Sequence, residues 1–274
     1  MITRTVSGII GALLVSVALF FNQTFPLLLN ILVAFVSLLS MYEIFVAMGV
    51  SKIRILVIPS LLFAFLVPLF VNEQTFQIAW YLYTISIFCI LIFCKNTVDF
   101  KVVSCIYTMS FVITFCLSML ITLRDYTEIY GTFFVVLVLA IAWMTDTGAY
   151  FCGSFFGKHK LCPSISPKKT VEGAIAGILV SLCSIVLICS VFQTWFFSPE
   201  VSINYVGLLI MGAITSVLSI LGDLSFSIVK RSYHIKDFGN VIPGHGGILD
   251  RMDSVMFVGP FVYFFIHVFP IILR

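Results

Sequence analysis

The stretch LGDLSFSIVKRSYHIKDFGNVIPGHGGILDRMD, residues 221–253, decides how the rest of the chain is read. It carries four of the twelve acidic residues (Asp223, Asp237, Asp250, Asp253) and four of the fifteen Lys and Arg (Lys230, Arg231, Lys236, Arg251). Both flanks are close to pure hydrocarbon. Charge so concentrated in so apolar a sequence marks either a membrane-surface loop or a polar active site.

Composition settles the surroundings of that stretch. Hydrophobic residues make up 61% of the 274, charged residues only 10%, and the mean hydropathy is +1.17. Soluble domains carry about 25% charged residues, and a water-soluble fold could not cover its surface with so few. The sequence therefore reads as an all-α, polytopic integral membrane protein. A net charge of +3 with no basic tail argues against a nucleic-acid partner. The eight Cys residues form no CxxC pair and most lie in apolar runs, where Cys behaves as a small hydrophobe, so neither disulfides nor Cys-ligated metal are expected. The apolar run after Arg4 has the look of a signal peptide. No small-x-small cleavage site before a soluble domain follows it, and further apolar runs do, so it reads as a first span left in place.

A spanning helix needs about 20 mostly apolar residues. Runs of that order cover 6–22, 26–48, 53–71, 76–94, 102–123, 129–152, 171–192, 205–229 and 254–273, which makes about nine transmembrane helices. Polar or turn residues mark the breaks, as at Asn22-Gln23, Ser51-Lys52, Asn72-Glu73, Lys95-Asn96 and Arg124-Asp125. With a cytoplasmic N-terminus, the inside connections hold Arg4, Lys52, Arg54, Lys95, Lys101, Lys158, Lys160, Lys168, Lys169, Lys230, Arg231, Lys236 and Arg251. Only Arg124 and Arg274 fall outside, as the positive-inside rule requires. This topology puts both long polar connections, 153–170 and 230–253, on the cytoplasmic face. It divides the chain into N-terminal spans (1–125) and a C-terminal region with a cytoplasmic-face site (126–274). In the first part only Glu43 stands out, an acid inside the second span; a functional group and a snorkelling structural acid are equally good readings of it.

From Trp143 the composition shifts. Asp146 and Tyr150 lie one helical turn apart, followed by Gly148, Gly153 and Gly157. The glycines by themselves read as a helix-packing seam, whereas an unpaired carboxylate at the depth of Asp146 is costly. Next comes SISPKKTVEGA, residues 164–174. Pro167 breaks any helix, so a new helix starts just after Lys168, Lys169 and Thr170. Backbone N–H groups at a helix start, a hydroxyl and two ammoniums can together bind phosphate. Equally, the lysines could serve only the positive-inside rule or anionic lipid headgroups.

In the opening stretch, Asp223, Ser227, Lys230 and Arg231 fall at i, i+4, i+7 and i+8, one stripe of a helix with the acid deepest. Asp250 and Asp253 share a face if they lie on a helix, with Arg251 between them. Pro243, Gly244, Gly246 and Gly247 around His245 make a tight turn that can present N–H groups to an anion and bring Asp250 back toward Asp223. Carboxylates, hydroxyls and water suit Mg²⁺, which binds through one or two carboxylates plus substrate phosphates. The plain alternative, a cytoplasmic loop with surface ion pairs, explains neither the acid at 223 nor the glycines. His245 could be a base, a ligand or a turn residue, and His267, deep in the last apolar run, reads as structural.

At these residues the sequence resembles the phosphatidate cytidylyltransferases, or CDP-diacylglycerol synthases. Their signature is matched by Ser227, Lys230-Arg231, Lys236-Asp237, Pro243, His245-Gly246-Gly247, Asp250-Arg251 and Asp253. Asp223, the Ser-Pro-Lys-Lys-Thr-x-Glu-Gly stretch at 166–173 and the Asp146 segment resemble the family too. The resemblance implies a multi-pass bacterial inner-membrane enzyme, usually dimeric, that joins CTP to phosphatidic acid and releases pyrophosphate. It implies divalent metal at Asp223 and Asp250, with a second metal or a monovalent cation such as K⁺ nearby. Lys230 and Arg231 would act with the two acids in catalysis. Substrate contacts would come from Asp146, Lys168, Lys169, Thr170, Ser227, Lys236, Asp237, His245, Gly246, Gly247, Arg251 and Asp253. Two rivals stand beside it: a CTP-dependent lipid kinase of the dolichol or phytol type, and a transporter with Asp146 and Asp223 as ion sites. The long signature opposes the first. The lack of an inverted repeat, and polar centres on one membrane face, oppose the second.

Overall fold

Residues 2–22, 24–94, 98–127, 130–241 and 246–273 are described by a computed structural model, with the backbone alone for 2–7 and 9. Of the positions singled out above, Gln23, Lys95, Asn96, Pro243, Gly244, His245, Arg274 and the side chain of Arg4 lie outside the described residues.

Each apolar run becomes a helix: α1 (Ile2–Phe20), α2 (Leu27–Ala47), α3 (Arg54–Leu69), α4 (Glu73–Phe93), α5 (Phe100–Asp125), α6 (Gly131–Phe156), α7 (Val171–Trp195), α8 (Tyr205–Ser232) and, after the single turn α9 (Leu249–Met252), α10 (Val255–Val268). Two short antiparallel ladders accompany them, which the hydrophobic pattern does not foreshadow. One pairs β1 (Lys160–Cys162) with β2 (Ser166–Thr170), the other β3 (Ser202–Ile203) with β4 (Ile272–Leu273). The polar breaks act through capping. Asn72 and Thr75 form a capping box at the start of α4. Gly49 turns the chain at φ +70°, in the left-handed region that favours glycine. The last apolar run is helical only to Val268, because Pro270 follows and cannot continue the ladder.

Among the described residues, α2, α4, α5, α6, α7 and α8 are long and apolar enough to cross a membrane. The most apolar windows of α4 and α7 are only 11% and 22% buried within the protein. Apolar surface left uncovered on that scale needs hydrocarbon around it rather than water.

The chain forms two compact units, Met1–Thr122 with Ser232–Met252, and Leu123–Arg231 with Asp253–Arg274. In the first, α2 packs on α3 and α3 on α4. The hydroxyl of Tyr83 lies 2.9 Å from Ser60 Oγ and 3.0 Å from Ser110 Oγ, a buried chain that joins α3, α4 and α5. In the second, α6 is the most buried span, with Phe133, Phe134, Leu137, Val138, Ile141 and Ala142 nearly inaccessible.

The closest helix pair in that unit is α6 with α7, and glycines allow it. A Cβ at Gly177 would lie 2.5 Å from the Thr145 carbonyl oxygen, and one at Gly148 would lie 2.9 Å from Val180 Cβ. The glycine seam expected from spacing is thus a packing device. Gly177→Val should force the two helices apart, at a cost of roughly 1–3 kcal/mol for overpacking. A lowered thermal midpoint in detergent is the expected result, and an unchanged one would contradict this account of the seam.

Candidate active site

The second unit gathers the polar residues of 146–173 with those of α8. Asp223, in the C-terminal half of α8, forms an ion pair with Lys169 at the end of β2. Their side chains are 25% and 22% exposed, so the pair is largely withdrawn from water. One turn on, Ser227 donates its hydroxyl to Asp223 Oδ1 at 3.3 Å, and the next turn brings Lys230, which is buried. The helical stripe read from spacing is therefore present. Arg231 is exposed at the rim, its Nε 3.5 Å from the carbonyl of Ile165 in the β1–β2 turn.

Asp253 joins this group. It is 4% exposed, and burial pushes its carboxyl up to about 8 from 3.8. The charges of Asp223 and Asp146 push the same way, whereas Lys230 opposes them. Ser254 Oγ lies 3.2 Å from both Asp146 Oδ2 and the Ser219 carbonyl, tying the α10 entrance to α6 and α8. Asp253 does not share a helix with Asp250 as the three-residue spacing suggested. The helix ends at Met252, and the Ser254 N–H is taken by Asp253 Oδ1 at 2.7 Å instead of a helical carbonyl.

At the start of α7, Thr170 is buried and its hydroxyl accepts the Gly173 N–H at 3.1 Å. Gly153 and Gly157 pack against that same hydroxyl, so it serves as an N-cap. Glu172, on the first turn, accepts the N–H groups of Lys158 and His159 at 3.1–3.2 Å and lies 2.6 Å from His159 Nδ1. This locks β1 to the helix, a role for His159 that spacing gives no sign of. Lys168 is exposed. His267 rests on Tyr263 and Tyr126, with Nδ1 2.7 Å from the Tyr263 carbonyl, a structural setting.

The first unit holds the other acid of the signature. Asp250 Oδ2 accepts the N–H of Phe238 at 2.9 Å and that of Gly247 at 3.2 Å. Gly246 sits at φ +85°, a conformation that favours glycine. Lys236, Asp237 and Arg251 are exposed. Glu43, which the sequence left open, is 2% exposed and accepts the N–H groups of Ile248 and Leu249 at 3.0 and 2.9 Å. Its signal was there, an acid in an apolar run, but its partner lies 205 residues away.

Among the described residues, no three His, Cys, Asp or Glu side chains gather closely enough to enclose an ion. The donors are nonetheless all oxygen. Three carboxyl groups, Asp146, Asp223 and Asp253, gather with two ammoniums, and burial first, then the charges of Asp223 and Asp146, keep Asp253 protonated more readily than an ordinary carboxyl. That fits a hard divalent cation bound by one or two carboxylates and completed by water and substrate phosphates. Because the folded state holds the Asp253 proton more tightly, this group's contribution to stability is full below the ordinary carboxylate range. It is lost as pH rises through about 8. In EDTA the thermal midpoint should fall across that window, and less so in Asp253→Asn; equal slopes would contradict the clustering.

Comparison with known proteins places these residues in context. Residues 2–269 match the Cytidylyltransferase family. The chain is 38% identical to the phosphatidate cytidylyltransferase of Bacillus subtilis over 245 residues, 89% of this chain and 79% of that protein. It is 47% identical to the one from Staphylococcus haemolyticus and 45% identical to the one from Staphylococcus aureus, each over 130 residues and 47% of both chains. The chain belongs to the cytidylyltransferase family.

Proposed function

We propose that this protein is a phosphatidate cytidylyltransferase that converts CTP and phosphatidic acid to CDP-diacylglycerol and pyrophosphate. The observation that carries the reading is the meeting of Lys169, Asp223, Lys230, Asp253 and Asp146 in one poorly solvated cluster. The lipid phosphate is already an anion and needs no base. One of its oxygens attacks the α-phosphorus of CTP, and the bond to the bridging oxygen breaks to release pyrophosphate. The obstacle is repulsion between two phosphate groups, so catalysis is mainly positioning and electrostatics.

In this reading Lys168, Lys169, Lys230, Arg231 and Arg251 grip phosphate oxygens. Lys169 is already positioned by its pairing with Asp223. Ser227 orients the Asp223 carboxylate, and Ser254 orients Asp146. Thr170 contributes by fixing the start of α7 behind Lys168 and Lys169. Asp223 and Asp250 would hold Mg²⁺, an assignment that rests on the sequence signature; when bound, the ion offsets the phosphate repulsion and stabilises the leaving group. A second metal or K⁺ nearby, Lys236, Asp237, His245, Gly246 and Gly247 as substrate contacts, and a homodimer complete the proposal. So do nine spans with a cytoplasmic N-terminus, which leave the lipid tails in a bacterial inner membrane and the site open to cytoplasmic CTP.

The experiment is to incubate purified protein with CTP, phosphatidic acid and Mg²⁺ and identify the products. CDP-diacylglycerol and pyrophosphate in equal amounts are expected. Release of CDP with a newly phosphorylated lipid would make it a kinase instead, and no consumption of CTP would overturn the reading. Asp223→Asn should abolish turnover in a folded protein, and near-normal turnover would sink the metal assignment.

A further inference from the structure

Glu43 takes no part in the chemistry proposed above, yet it is one of the most enclosed charged groups in the first unit, 2% exposed. Both of its oxygens are committed. Oε1 accepts the Ile248 N–H at 3.0 Å, and Oε2 accepts the Leu249 N–H at 2.9 Å, where the chain enters α9. The loop approaches the carboxylate so closely that side chains are excluded. A Cβ at Gly239 would lie 2.5 Å from Glu43 Oε1, and one at Gly247 would lie 2.6 Å from Oε2. Asp250, directly after the two bonded N–H groups, is held from the other direction by Phe238 and Gly247. Two carboxylates thus fasten the same backbone, and the second is the acid of the signature.

We infer that Glu43 is a positioning residue: it fixes the backbone at 247–249 and so sets where the Asp250 carboxylate stands. The geometry also explains the second glycine of the signature, since Gly247 must be bare to pass between Glu43 and Asp250, whose Oδ2 would lie 2.9 Å from its Cβ. An apolar residue at 43 would strand the Ile248 and Leu249 N–H groups, one partly and one fully buried, without their acceptors. A cation at that position would repel them. Only an acid offers two acceptors at the right separation. The inference rests on the proposed reading of Asp250 as a metal-binding acid.

The test compares Glu43→Gln, Gly239→Ala and Asp250→Asn. Glu43→Gln turns one acceptor into an amide NH₂, so one loop N–H loses its partner. Gly239→Ala keeps the carboxylate but pushes a methyl against it, and decides the matter if Glu43→Gln does not fold. Mn²⁺ binding without substrates, read from the electron paramagnetic resonance of the free ion, should weaken about 10- to 100-fold in both, the range seen when a group that orients a metal ligand is lost. The Mg²⁺ concentration for half-maximal turnover should rise in step, with KM for phosphatidic acid unchanged. Mn²⁺ affinity equal to wild type in either folded variant would overturn the inference. Asp250→Asn separates the two claims. If it binds Mn²⁺ and turns over normally, the reading of Asp250 fails; if it loses both while the other variants lose neither, only the role of Glu43 fails.

Discussion

The ion pair between Lys169 and Asp223 is the contact on which the second unit's polar centre depends. Each charge, left alone at that depth, would be strongly disfavoured, and each satisfies the other. The pair joins β2 to α8 through two residues 54 positions apart in the chain (223 − 169). Around it, Ser227 bonds Asp223, Ser254 bonds Asp146, and Lys230 faces Asp253. Once Asp253 ionises, three carboxylates face two ammoniums, and the cluster is then short of positive charge. A bound triphosphate would deepen that shortfall, which is why a cation belongs in the chemistry.

The apolar architecture exists to make that contact possible. Bare backbone at Gly148 and Gly177 lets α6 and α7 approach closely, and the Thr170 cap starts α7 within reach of the Gly153–Gly157 turn. Lys169, one residue before that cap, is thereby fixed relative to Asp146 on α6. The lysine that pairs with Asp223 owes its position to glycines that carry no chemistry. In the first unit the same logic recurs with different means, as the Glu43 carboxylate orders a glycine-bearing loop through its N–H groups.

Much of this was legible because its signals are local. Apolar runs became helices, since a run of about 20 such residues can satisfy its backbone in a bilayer only that way. The stripe from Asp223 to Lys230 was legible for the same reason, as helical period fixes neighbours four and seven residues apart. What sequence could not give were contacts that period does not encode. Spacing groups Asp253 with Asp250 only if both lie on one helix, but the single turn α9 ends at Met252 and Asp253 feels the charge of Asp223. Spacing places Thr170 at a helix start suited to phosphate, and gives no sign that its hydroxyl also caps that helix. Glu43 announced itself as unusual without naming a partner, because hydrogen bonds across two hundred residues leave no periodic trace. SISPKKT has no apolar alternation, so its sequence carries no sign of the β1–β2 ladder.

On the proposed reading, a divalent cation binds beside Asp223, next to the polar segments of the second unit. Fe²⁺ in place of Mg²⁺, with ascorbate and peroxide, releases hydroxyl radicals that cut the backbone beside the bound ion. Mapping the cuts by mass spectrometry tests the claim most directly. Cleavage near Asp146, Lys169, Asp223 and Asp253, suppressed by excess Mg²⁺, is the predicted result. Cuts confined to other segments, or a pattern indifferent to Mg²⁺, would contradict it.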